Sequence, residues 1–404
     1  MILYENKAIN FPAGFYANGV VCGLKKNGSP DLALVFSKEP AQFAGIYTSN
    51  IVKGHSLQRT IEIEKKQSSS HGVLINSGNA NACVGPAGYH SACEMAAAIA
   101  NQTHVNPDDI LTCSTGVIGQ PLQMNRILPR IEELVAGLSD SEESGHLATE
   151  AIMTTDLVSK EASSVFCIDS QKVKLSGIAK GSGMIHPNLA TMISVLTTDA
   201  AIDAELLKKS LKKAANVSFN RITVDGDTSV CDTLLIFANG QSHTHEIKEN
   251  TPEYQIFLSA LIDVCTKLAK SMAKDGEGAT KLVDVQVTGA ATPDDAYKIL
   301  LAVCRSPLCK TAFFGEDANW GRILTAAGYS GAAFDPEKAS IYISDLIVYD
   351  KGVGLSFDEE RASAIMAKPE FSILIALGDG NANDHMWTCD FSYDYVKING
   401  SYRS

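Results

Sequence analysis

The segment that decides the fold is Lys180-Gly-Ser-Gly-Met-Ile-His-Pro-Asn-Leu-Ala-Thr-Met-Ile-Ser-Val-Leu-Thr-Thr-Asp-Ala200. A Gly-x-Gly turn and a proline lead into a β-like run that begins at Thr191. One interpretation is a plain connection between two strands. A phosphate-binding loop fits poorly, because Lys180 precedes the glycines instead of following them. The third interpretation is self-cleavage between Ala190 and Thr191, which frees an α-amine that can serve as base for the threonine hydroxyl.

Length and charge exclude several classes of protein. The chain has 404 residues, which suggests two or three packed units. Asp and Glu number 46 against 34 Lys and Arg, a net charge of −12. We therefore expect neither nucleic acid nor an anionic membrane as a main partner. The first residues lack a basic stretch followed by an apolar one, so no signal peptide is expected.

The ten cysteines show no Cys-x-x-Cys spacing, which disfavours a zinc ribbon or a thioredoxin-like site. In a chain without a signal peptide, scattered cysteines are typical of reduced, mostly buried thiols. The expected location is the cytoplasm, and no cysteine is expected to be catalytic.

Strand-like and helix-like patterns alternate along the chain, which indicates an α/β protein. Asp203 is predicted to cap a helix that buries Leu206, Leu207 and Leu211, and another helix is predicted to begin at Thr251-Pro252 and end at Asp275. Residues after about 280 are predicted to form a separate, smaller α/β unit. Strands are predicted at 32–36, 73–76, 173–178 and 193–196, and β-rich runs lie at 281–288, 340–348 and 371–377. Further helices are predicted at 91–101 and near 317–320.

Seven blocks give the whole chain a resemblance to the ornithine acetyltransferase family, also called the ArgJ-type glutamate N-acetyltransferases. Each block alone is a weak or moderate signal, whereas seven in order are highly specific. The blocks are Asn76-Ser-Gly-Asn-Ala-Asn-Ala-Cys83, Ser114-Thr-Gly-Val-Ile-Gly119, the segment 180–200, Ser218-Phe-Asn-Arg-Ile-Thr-Val-Asp-Gly-Asp-Thr-Ser229, Asp275-Gly-Glu-Gly-Ala-Thr-Lys281, Phe314-Gly-Glu-Asp-Ala-Asn-Trp-Gly-Arg322 and Tyr393-Asp-Tyr-Val-Lys-Ile-Asn399.

The resemblance implies a layered αββα core with a threonine nucleophile and a smaller C-terminal α/β domain. Cleavage before Thr191 would give an α chain, 1–190, and a β chain whose residues 191–280 complete the core and whose residues 281–404 form the C-terminal domain. The two chains are expected to associate as an α2β2 heterotetramer. Thr191 is expected at the start of a central strand.

The resemblance also implies the reaction and its residues. Thr191 would take an acetyl group from N-acetylornithine and pass it to glutamate, a step of arginine biosynthesis, while Thr115 and Gly116 stabilise the oxyanion. Acetyl-CoA is a further candidate donor, and neither a cofactor nor a metal is expected. The expected substrate contacts are Thr154, Lys180, Thr191, Glu277, Asn399 and Ser404.

Two alternatives stay open for the charged contacts. Lys180 and Glu277 suit the carboxylate and ammonium groups of an amino acid, but an ordinary exposed ion pair between them is the alternative.

His243 and His245 form a weak candidate for a metal pair without a third ligand nearby in sequence. The segment 379–384 has alternating oxygen ligands but lacks the glycine of an EF-hand loop, so a polar turn is the better interpretation.

Departures from the family pattern concern specificity. Val230-Cys231-Asp232 replaces a usual Thr-Asn-Asp, and 383–386 replaces three small residues before Trp387. These changes leave the predicted chemistry at Thr191 intact. An amidohydrolase or aminopeptidase, or a divergent N-acyl-amino-acid acyltransferase, on the same scaffold is the alternative activity. A binding protein without catalysis is disfavoured, because all three reactive positions keep the required residue types.

Overall fold

The computed structural model describes residues 2–5, 7–187 and 192–401. The chain divides into two compact units, the first comprising the chain up to Asn220 with Asp227–Met272, and the second Arg221–Gly226 with Ala273–Ser404. Each unit contains one mixed sheet with helices, so the predicted α/β class is confirmed.

The strands and helices alternate along most of the described chain. The strands are β1 Ile2–Glu5, β2 Phe15–Val20, β3 Leu32–Tyr47, β4 Ser69–Asn79, β5 Ile110–Val117, β6 Lys160–Ile168, β7 Gln171–Lys180, β8 Ile193–Thr198, β9 Ile222–Thr223, β10 Thr233–Ala238, β11 Leu282–Ala290, β12 Ser340–Ile343, β13 Leu346–Asp350, β14 Val353–Gly354, β15 Glu370–Ala376 and β16 Ala382–Cys389. The helices are α1 His55–Glu64, α2 Pro86–Thr103, α3 Met124–Ile127, α4 Ile131–Ala136, α5 Glu142–Ile152, α6 Ala204–Val217, α7 Pro252–Lys274, α8 Pro293–Arg305, α9 Pro307–Phe314, α10 Trp320–Gly328, α11 Glu359–Met366 and α12 Tyr393–Gly400.

The sheet of the first unit folds back on itself. Its strand order is β1-β6-β7-β8-β10-β3-β4-β5, with β2 also paired to β3. Five strand intervals separate β7 from β5, which in a flat sheet would be roughly 24 Å. Yet Nζ of Lys180, at the end of β7, lies 3.5 Å from Oγ1 of Thr115 in β5. The bend lies in the long strand β3, whose pairing with β4 is irregular between Phe36 and Ala41.

Folding of the sheet produces the predicted layers. One buried cluster combines side chains from both halves of the sheet, such as Val35 and Ile75 from one half and Val195 and Leu235 from the other. Helix α2 buries its apolar face outside the β3–β4 half. On the other outer side, a Cβ at Gly177 of β7 would come 2.9 Å from Leu268 of α7, so this helix packs directly on the strand. The order is helix, sheet, sheet, helix.

The second unit has a seven-stranded sheet in the order β14-β13-β12-β15-β11-β16-β9. Alternate residues of β11, including Val283, Val285 and Val287, enter a core that helices α8 to α11 complete. The segment Arg221–Gly226 belongs to this unit because β9 pairs in parallel with β16.

Local signals predicted the individual elements well. Asp203 caps α6 by accepting the N–H groups of Glu205 and Leu206, and the predicted leucines are buried. The β-rich run at 340–348 consists of two strands, because Ser344 at φ +52° makes a turn between β12 and β13. The strand predicted at 32–36 is too short, since β3 continues to Tyr47.

Seven of the ten cysteines are buried, and all ten are free thiols. Within the described residues, no helix combines the length and the apolar character that crossing a bilayer requires.

Candidate active site

The end of strand β5 carries the predicted oxyanion pair. Thr115 is buried, and its neighbour Gly116 has a φ of +131°, which strongly favours glycine. A Cβ at Gly116 would lie 2.3 Å from the carbonyl carbon of Gly78, because β4 and β5 run side by side at this point. Glycine therefore lets the two strand ends approach closely directly after Thr115.

Lys180 contributes a buried cation beside this strand end. The residue is 2% exposed, and its Nζ lies 3.5 Å from Oγ1 of Thr115. Burial lowers the pKa of the Lys180 ammonium group, whereas the charge of Asp156 counteracts this effect. A hydroxyl and a cation thus meet at one point, which suits an anionic group of a substrate or transition state. The burial also contradicts the alternative in which Lys180 belongs to an exposed surface pair.

A buried carboxylate connects Lys180 with Thr154. Oδ1 of Asp156 accepts the N–H of Gly181 at 2.7 Å, and Oδ2 accepts the N–H of the half-buried Thr154 at 3.0 Å. The Lys160 ammonium donates to the same Oδ1 at 2.7 Å, and both side chains of this ion pair are fully buried. Burial opposes ionisation of Asp156, but the charges of Lys160 and Lys180 bring its pKa below the ordinary range.

A second buried carboxyl lies where strand β8 begins. Oδ1 of Asp232 accepts the N–H of Met192 at 3.1 Å, and Oδ2 has no hydrogen-bond partner within the described residues. Burial raises the pKa of Asp232 well above its ordinary value. The thiol of the preceding Cys231 points to the carbonyl oxygen of Ala80 at 3.4 Å. Cys231, which departs from the family pattern, therefore lies next to the chain segment that follows Thr191.

The second unit contains its own pair of predicted contact residues. The Nδ2 group of Asn399 donates to Oε2 of Glu277 at 2.8 Å. Glu277 is 7% exposed, so it is not an ordinary surface carboxylate. The adjacent loop is fixed by Ser392, whose hydroxyl donates to the carbonyl of Gly278 at 2.5 Å. The pair offers a carboxylate that can bind an ammonium group.

Three predicted residues, Ala190, Thr191 and Ser404, lie outside the described residues. The described chain resumes at Met192, and β8 begins one residue later. This strand is flanked by β7 and β10, in the interior of the sheet. The chain directly after Thr191 thus enters a rigid, central strand.

The weaker candidates have other partners. His245 pairs with the carboxylate of Asp169 in an exposed loop. Asp379 accepts the N–H of Asp335 at 3.0 Å and pairs with Lys338 at 3.0 Å, as expected of a polar turn.

Sequence reasoning missed Asp156 and Lys160. The available signal was an Asp–Lys pair four residues apart, which begins two residues beyond the predicted contact Thr154. Its burial was not readable, because the residues between the pair, 157–159, are exposed.

Comparison with known proteins gives one consistent family. The model of the ArgJ family matches residues 16–404. The "Arginine biosynthesis bifunctional protein ArgJ" of Caldanaerobacter subterraneus subsp. tengcongensis is 45% identical over 98% of both chains, and that of Symbiobacterium thermophilum is 46% identical over 98% of both. A crystal structure of the Bacillus halodurans protein argJ is 42% identical, with a TM-score of 0.49 over 51% of this chain and 97% of that one. An ornithine acetyltransferase from Mycobacterium tuberculosis, complexed with ornithine, is 35% identical, with a TM-score of 0.44 over 48% and 99%.

Proposed function

The chain belongs to the ArgJ family, and from this premise we propose that it transfers an acetyl group from N-acetylornithine to glutamate in arginine biosynthesis. One observation carries the proposal: the buried Lys180 ammonium lies against the Thr115 hydroxyl, beside the close approach at Gly116. This arrangement suits the oxyanion of acyl transfer. The names of the relatives and of the ornithine complex support the substrate class.

We propose that the chain cleaves itself before Thr191, giving an α chain, 1–190, and a β chain, 191–404. Cleavage frees the α-amine of Thr191, which then takes the proton from the threonine hydroxyl. The hydroxyl oxygen attacks the acetyl carbonyl of N-acetylornithine, and ornithine leaves with the proton. The central strand β8 supports this position, because a nucleophile on a regular element is held more precisely than one on a loop.

The acetyl group then passes from Thr191 to the α-amine of glutamate. In both half-reactions the negative charge on the carbonyl oxygen is stabilised by the hydroxyl of Thr115 and the backbone N–H of Gly116. Lys180 stabilises the same region by its charge. This chemistry is complete without a metal or an organic cofactor, and acetyl-CoA is proposed as an alternative acetyl donor.

Substrate recognition is proposed to use opposite charges. In the first unit, Lys180 and Thr154 are proposed to contact a substrate carboxylate. In the second unit, Glu277, held by Asn399, is proposed to contact an ammonium group, either the ornithine side chain or the α-amine of an acceptor. Ser404 is proposed as a further contact.

We also propose that the two chains remain together as an α2β2 heterotetramer in the cytoplasm. Ten free thiols fit a reducing compartment.

The test is a panel of donors, namely N-acetylornithine, N-acetyllysine, N-acetylglutamate and acetyl-CoA, each with glutamate as acceptor. We expect N-acetylornithine to give N-acetylglutamate and ornithine in equal amounts. The deciding quantity is the partition of the acetyl-enzyme between glutamate and water. Preference for a donor without a basic side chain, or rapid release of acetate without transfer to glutamate, would overturn the proposal in favour of a hydrolase.

A further inference from the structure

Asp156 joins two chain segments that lie far apart in sequence. Its carboxylate accepts the N–H of Thr154, between α5 and β6, and the N–H of Gly181, directly after the end of β7. We propose that Asp156 is a positioning residue that holds Thr154 and Lys180 in the arrangement that binds the substrate. This inference rests on the proposed function, because it concerns the same substrate.

The geometry leaves Asp156 little freedom. Both of its oxygens are engaged, and the side chain is completely buried. A buried carboxylate is stable only when it is paired and hydrogen-bonded. Lys160 supplies the paired charge at 2.7 Å. The backbone N–H groups of Thr154 and Gly181 fix the direction of the carboxylate. A displacement of Asp156 would move Thr154 and Gly181 at once.

Asp156 also controls the charge of Lys180. Without a neighbouring carboxylate, burial would drive the lysine further towards its neutral form, which cannot pair with a substrate carboxylate. Among the described residues, the titratable side chains whose charge shifts the pKa of Lys180 include Asp156, Lys160, Asp232 and Cys231. Lys25 also interacts electrostatically with Lys180. Asp156 and Lys160 act on Lys180 in opposite directions. Neutralising each in turn should therefore move the titration of Lys180 in opposite directions.

The experiment measures ornithine binding by calorimetry across pH, together with kcat and KM for N-acetylornithine. In Asp156→Asn we expect ornithine to bind about tenfold to a hundredfold more weakly, with KM changing more than kcat. We also expect the basic limb of the binding profile to move about one to two pH units lower. In Lys160→Met the same limb should move to higher pH, because the variant removes a positive charge that lowers the pKa of Lys180.

The matched control is Asp199→Asn. Asp199 is another buried carboxyl group of the first unit, and it accepts the N–H groups of Lys174 and Ala13. This control loses comparable hydrogen bonds away from the candidate site, so ornithine affinity and the pH limb should stay as in the wild type. A general loss of structural order would instead weaken ornithine binding in both Asn variants.

If Asp156→Asn does not fold, Asp156→Glu tests the positioning role of Asp156 instead. It keeps the charge but displaces the carboxylate by one methylene, so binding should weaken while the basic limb stays in place. Wild-type affinity in this variant, or a folded Asp156→Asn with unchanged affinity and an unmoved basic limb, would overturn the inference. A wild-type protein that binds no ornithine and transfers no acetyl group would instead overturn the proposed function.

Discussion

Nζ of Lys180 lies 3.5 Å from Oγ1 of Thr115, although four strands separate β7 from β5 in the sheet order. The contact exists because the sheet folds at β3 and brings its two halves face to face. The candidate oxyanion site is therefore a product of the tertiary fold. Each half of the sheet supplies one part of it: the first half the hydroxyl and the glycine, the second half the cation.

Replacing Thr115 by valine should remove the oxyanion hydroxyl with little change in volume. We expect kcat to fall about 10²–10³-fold with KM nearly unchanged, because the hydroxyl acts mainly on charge that develops during the reaction. Steady-state kinetics with N-acetylornithine and glutamate provide the measurement. Thr112→Val is the matched control, since Thr112 is buried on the same strand but donates to the carbonyl of Ser56. A drop in kcat of equal size in both variants would contradict the role of Thr115.

Thr191→Ala should run as one band on a denaturing gel and have no activity, whereas the wild type should run as two. The physical reason is that alanine has no hydroxyl to attack the preceding carbonyl. N-terminal sequencing of the larger, C-terminal product of the wild type should begin Thr-Met-Ile-Ser. Thr191→Ser, which keeps a hydroxyl, should still be cleaved. A fully active, uncleaved wild type would exclude the free α-amine as the base.

The elements that could be predicted from the sequence are those governed by local rules. The cap at Asp203 and the apolar face of α6 depend only on neighbouring residues, and both predictions were confirmed. The long strand β3 could not be read in this way, because the exposed stretch Lys38–Pro40 interrupts its buried pattern. That bend determines which strands face each other. The periodicity of apolar residues along the chain carries no information about this bend in β3.

The predicted contact residues were identified by resemblance, and the groups that hold them were not. Thr115 and Lys180 belong to blocks that are specific in sequence. Asp156 holds the candidate site through three hydrogen bonds, to Thr154, Lys160 and Gly181, which cannot be read from the sequence. The burial of Asp232 could not be predicted from the sequence either, since a carboxylate after a cysteine carries no local signal of desolvation.

Alkylation by iodoacetamide should label the exposed Cys83 and Cys167 and leave most activity intact. Cys231 should not react, because burial shields its thiol and raises its pKa, which disfavours the reactive thiolate. Peptide mass spectrometry after labelling provides the measurement. A Cys83→Ser, Cys167→Ser double variant should keep its activity and take up little label. Rapid inactivation that substrate prevents, with label on Cys231, would show instead that this thiol lines the substrate site.

Asp232→Asn should change how stability depends on pH. Burial raises the pKa of Asp232, so the folded chain keeps this proton at pH values where the unfolded chain has released it. Below the ordinary carboxyl pKa both states hold the proton, and the contribution of Asp232 to stability is fully present. As pH rises towards the folded-state pKa, the unfolded state binds fewer protons, and the free energy of unfolding of the wild type falls. Asparagine resembles the neutral acid and avoids this loss.

The measurement is denaturant unfolding of Asp232→Asn and its parent at several pH values from 4 to 8. Both proteins should carry Thr191→Ala, because an uncleaved single chain avoids dissociation of the two products. We expect the difference in unfolding free energy to grow in favour of asparagine by up to about 1.4 kcal/mol per pH unit. Other titrating groups, including the buried Asp199, are present in both proteins and largely cancel in the difference. A difference that is constant with pH, or one that favours aspartate at high pH, would mean that Asp232 is ionised in the fold and paired with Lys180.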